Sequence, residues 1–109
     1  MNEEFEISTL DQVEQAYSMA EAVLGRVKQL LGEDGNYIEV GENEMIRRLF
    51  AETDLFGLTW AHAAVSYKLR HFDSPTLEFM RQAQIDINIF SQVKTMMEEI
   101  LVQKKKEKK

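Results

Sequence analysis

The chain has 109 residues, with one proline, five glycines, no cysteine, and 44% hydrophobic and 29% charged residues. That size and mix specify a single folded domain, residues 1–109, with a modest core, and they exclude disulfides, thiolate nucleophiles and thiolate metal sites. The net charge of −6 is unevenly spread: residues 104–109 hold five Lys and one Glu, leaving 8 basic against 18 acidic residues elsewhere. An acidic body of this kind disfavours direct nucleic-acid binding, which needs Lys and Arg to neutralise phosphate, and attracts a protein partner with a basic surface. No apolar run approaches the roughly 20 residues of a spanning helix. Residues 1–6 carry neither the basic nor the apolar region of a secretory leader. The expectation is a cytoplasmic protein with no membrane partner.

Residues 1–7 read as an acidic arm. Ser8 or Thr9 begins a helix over 9–31, with Ser8 and Asp11 in the spacing of a capping box. Leu10, Val13, Tyr17, Ala20, Leu24, Val27 and Leu31 then alternate three- and four-residue steps, with Ala16, Val23 and Leu30 widening the stripe. Heptad spacing also suits a coiled-coil partner, but packing on the protein's own helices is the commoner use at this length. Gly32 ends the helix, and 32–42 reads as an acidic loop whose Tyr37, Ile38 and Val40 lie against the bundle. Glu33, Asp34, Glu39, Glu42 and Glu44 form the densest acidic stretch, without a basic residue among them. Their spacing does not follow a calcium-loop order, so the stretch reads as a partner-binding surface and not as a metal site.

Over 43–71, Ile46, Leu49, Phe50, Phe56, Trp60, Ala63, Ala64 and Tyr67 keep one helical phase and predict one long helix. A break near Thr53–Gly57, where Thr53-Asp54 would cap a new helix and Gly57 weakens propensity, would make two. Arg47 and Arg48 are spaced to pair along the helix with Glu44 and Glu52. Trp60 and His62 suggest a pocket stacking a planar ligand, although a Trp on a helical stripe is more often core. Ser74 and Pro75 then open a helix over 75–102. It carries two apolar stripes: Met80, Ala83, Ile87, Phe90, Met97 and Leu101, and beside them Ile85, Ile89, Val93, Met96 and Ile100. Two stripes exceed what one neighbouring helix covers, so the second set predicts a homodimer interface. The alternative is that the first helix and the 37–40 segment cover both stripes within one subunit. Residues 104–109 form a Lys-rich tail, read as a solvated helix end, an electrostatic tether or a tag-like remnant.

Chemistry is mostly absent from the pattern. No serine lies in a G-x-S-x-G context, no glycine-rich phosphate loop occurs, and His62 and His71 are too far apart for a zinc helix. No cofactor, no metal and no enzymatic activity are expected. The fold expected is all-α, an antiparallel hairpin of two long helices with the N-terminal helix packed along it, a bundle of three helices or, with the break, four. The function expected is a non-enzymatic acidic adaptor or inhibitor, of the kind phage inhibitors and bacterial regulators provide, an analogy of size and charge alone.

Overall fold

The structure, a computed structural model, describes residues 7, 9–32, 37–71 and 77–107. The arm over 1–6, Ser8, Glu33, Asp34, the Ser74-Pro75 start signal, the Met80 side chain, Lys108 and Lys109 lie outside the described residues. Among the described residues the chain is helical, with no strand. Four α-helices follow in order: α1 over Leu10–Leu31, α2 over Glu44–Glu52, α3 over Leu55–Arg70 and α4 over Leu77–Glu107, with a 3-10 segment, Tyr37–Glu42, between α1 and α2.

α1 starts one residue later than the Ser8-Asp11 pattern suggests. The capping box is built by Thr9 and Gln12: the Gln12 N–H donates to Thr9 Oγ1 at 3.1 Å, and the Thr9 N–H to Gln12 Oε1 at 3.2 Å. The helix ends at Gly32, whose φ of 75° few side-chain-bearing residues tolerate and whose N–H returns to the Lys28 carbonyl. Its buried stripe is Ala16, Ala20, Val23, Leu24 and Val27, while Leu10 remains 74% exposed. The heptad therefore describes the middle of α1 and not its first turn. α1 packs chiefly on α3, and buried alanines on both helices, Ala16 and Ala20 with Ala61 and Ala64, suit a close approach.

The middle region is two helices. Thr53 and Asp54 leave helical geometry, with ψ of 139° and 165°. Both new ends are capped: the Thr53 hydroxyl donates to the Leu49 carbonyl at 2.8 Å, and the Asp54 side chain accepts the Gly57 N–H at 2.7 Å. Satisfying these end groups outweighs continuing a helix through a β-branched residue, an Asp and a Gly. The corner changes which residues face inward. Leu58, Ala61, Ala64 and Val65 are buried on α3, whereas Phe56 is 71% exposed and Trp60, Ala63 and Tyr67 are half-buried.

α4 is the spine. At 31 residues it spans about 46 Å at 1.5 Å per residue. Both of its apolar stripes are covered by the chain itself, α3 on one side and the 3-10 segment with α2 on the other. Ile89, Phe90, Val93, Met96, Met97, Ile100 and Leu101 join Val40, Ile46, Phe50, Leu58 and Val65 in one core cluster. Ile87 is half-buried, and the set predicted as a dimer interface is divided: Ile89, Val93, Met96 and Ile100 are at most 5% exposed within one chain, and Ile85 is 37% exposed. The second stripe is thus core, because the 3-10 segment, read as a loop, lays Val40 into it.

Candidate interaction surfaces

The 3-10 segment holds its place through its backbone. The Gly41 N–H donates to Gln92 Oε1 at 2.7 Å, and Gln92 Nε2 donates in turn to Asn88 Oδ1 at 2.9 Å. With Val40 buried, this fixes the acidic edge against the middle of α4. Glu39, Glu42 and Glu44 are exposed along that edge, and none of them forms an ion pair among the described residues. Glu33 and Asp34, the other two predicted members, lie outside the described residues.

Beside the edge runs a groove of about 330 Å³, lined by Gly41, Arg47, Ser91, Gln92, Thr95, Met96 and Glu99. Arg47 does not pair along α2 as its spacing suggests; its Nη1 reaches across to Glu99 Oε2 at 3.4 Å. No pattern in the sequence announces this groove, since its lining comes from segments about fifty positions apart in the chain. Trp60 and His62 do not line it. Two positions apart on α3, they point about 160° away from each other around the helix axis. His62 Nε2 lies 3.5 Å from Glu98 Oε2 of α4.

Two other clusters tie helices together. Lys68 Nζ sits 4.6 Å above the Tyr17 ring and 3.9 Å from Glu21, while Tyr17 meets Tyr67 edge-on and Tyr67 stacks on His71. On the other side, Lys28 Nζ pairs with Asp86 at 3.1 Å. These join α1 to α3 and α1 to α4, and their half-exposed groups read as supports for packing. Among the described residues no group of three or more His, Asp or Glu is arranged to hold a metal ion, and no helix is long and apolar enough to cross a membrane.

The Lys-rich run begins inside α4, which stays helical to Glu107. Lys104 Nζ donates to the Ala51 carbonyl at 2.8 Å, in the last turn of α2. A cation is favoured there because the final carbonyls of a helix lack partners and carry its negative dipole end. No protein-family model matches the chain, and no curated protein or solved structure shows significant similarity to it.

Proposed function

We propose that this chain is a non-enzymatic interaction module that acts as a small adaptor or inhibitor by engaging a basic surface on another protein. The observation that carries the reading is the exposed edge of Glu39, Glu42 and Glu44, which no cation of the described chain neutralises. The edge is fixed by Val40 and the Gly41–Gln92 hydrogen bond, so its carboxylates are presented with little ordering left to do on binding. In this reading α3 and α4 form an antiparallel hairpin with α1 along it, and the hairpin is the rigid support for the edge. The acting unit is a single chain, since most of the proposed dimer seam is occupied by its own core.

The test is affinity capture from cells with the parent protein and with the Glu39→Gln, Glu42→Gln, Glu44→Gln variant, followed by measurement of Kd for the purified partner. Affinity should fall with added salt and fall about tenfold or more in the variant, as expected for complementary charge across an interface. A Kd indifferent to both changes would rule out the acidic edge as the recognition surface.

A further inference from the structure

The groove beside the acidic edge combines an apolar floor with one loosely held charge. Ser91, Gln92, Thr95, Met96 and Glu99 line it from one face of α4, and Gly41 and Arg47 close the other side. Met96, 1% exposed, is the floor. At about 330 Å³ the space lies at the small end of ligand pockets, about 300–1,000 Å³, and suits one long side chain better than a helix. Arg47 Nη1 reaches Glu99 Oε2 at 3.4 Å, with the two side chains 38% and 56% exposed. A charge-assisted N–H···O bond is normally about 2.7–2.9 Å, and ion pairs in contact with water contribute little. The Glu99 carboxylate is therefore open to exchange. Exposed Glu42 directly follows Gly41, and exposed Glu39 precedes it by two positions. Lys94, by contrast, stands about 140° around α4 from the middle of the lining face.

We propose that the groove seats one arginine side chain of the basic protein partner, whose guanidinium takes the place of Arg47 on Glu99, an inference that rests on the acidic-edge reading and names the residue the partner inserts. The apolar stem of an arginine lies on Met96 and the Thr95 methyl group while its charged head stays at the rim. Its planar fork holds a carboxylate by two parallel bonds, where Arg47 makes one long contact. Lysine brings a compact, more strongly hydrated charge without that fork, so arginine is the better occupant. Glu39 and Glu42 supply complementary charge beside the mouth. The exchange replaces one cation by another at Glu99, so no carboxylate in the groove loses its partner, and Arg47 swings out into water.

Titration with N-acetylarginine amide, followed through backbone amide shifts by NMR, tests this, with the lysine and uncharged citrulline analogues as controls. The arginine probe should shift the Gly41, Thr95 and Glu99 amides saturably and bind about tenfold more tightly than citrulline, the scale of a hydrogen bond to a charged group. Glu99→Gln should weaken it by about the same factor. Thr95→Trp, at an exposed position, fills the groove and should abolish binding. Arg47→Ala should tighten binding severalfold by removing the competitor. Arg48→Ala, the same charge change at a residue outside the lining, should leave it near the parent's. Circular dichroism checks that the variants keep the parent's helix. No saturable shift with arginine, equal binding of lysine or citrulline, parent-like binding in Thr95→Trp, or equal effects of Arg47→Ala and Arg48→Ala would overturn the proposal. The acidic edge has its own test in the partner's Kd for the Glu39→Gln, Glu42→Gln, Glu44→Gln variant, so the two readings fail separately.

Discussion

At Gly57 two opposing local effects meet. Its N–H donates to Asp54 Oδ1 at 2.7 Å, the bond that starts α3. A methyl group placed on Gly57 would stand 2.7 Å from that same oxygen and 3.2 Å from Thr53 Cγ2. Alanine is normally worth about 1 kcal/mol over glycine inside a helix, while an N-cap is typically worth about 1 kcal/mol. Displacing the cap should therefore cancel the gain. Gly57→Ala is expected to leave the melting temperature unchanged or lower it in the parent, and to raise it in an Asp54→Ala background. Chemical denaturation of the four proteins of this cycle measures the difference. A gain of equal size in both backgrounds would show that the cap and the methyl group do not compete. The same residues explain what the sequence hid. Helical phase persists across the Thr53-Asp54 corner, so periodicity alone joined two helices and placed Phe56 in the core. At the start of α1, Ser8-Asp11 and Thr9-Gln12 satisfy nearly the same pattern one residue apart, and only backbone geometry selects the second.

On the scale of the element, α4 is legible in its apolar pattern and less so in what covers it. Its two stripes were evident from spacing. What covers the second was legible only as an alternative, the 37–40 segment, because a six-residue 3-10 segment has too little periodicity to announce itself as packing material. The glutamates of that segment were legible through composition. The groove beside them and the Lys104–Ala51 contact were not, since they join residues about fifty positions apart. A paired substitution on α4 separates the two faces. Ile89→Asp buries an unpaired charge at a position with 0% exposure, a cost of several kcal/mol against a total stability of about 5–15 kcal/mol. It should abolish cooperative melting. Ile85→Asp, at a position with access to water, should melt within a few degrees of the parent. If both variants melt alike, the inward face of α4 is misassigned.

For the whole molecule, apolar surface is largely spent inside one chain, and recognition is proposed for the acidic edge beside the middle of α4. That proposal depends on the chain acting as a single copy. A dimer through α4 would have to expose Ile89, Val93, Met96 and Ile100, all now within the core cluster, at the cost of the contacts they make with α3, α2 and the 3-10 segment. Sedimentation equilibrium at micromolar concentration, repeated at high salt to suppress association between unlike charges, tests this most directly. A single species of 12.7 kDa is the predicted result. A dimer that persists at high salt would contradict the account, because it would place an apolar interface where the structure has core.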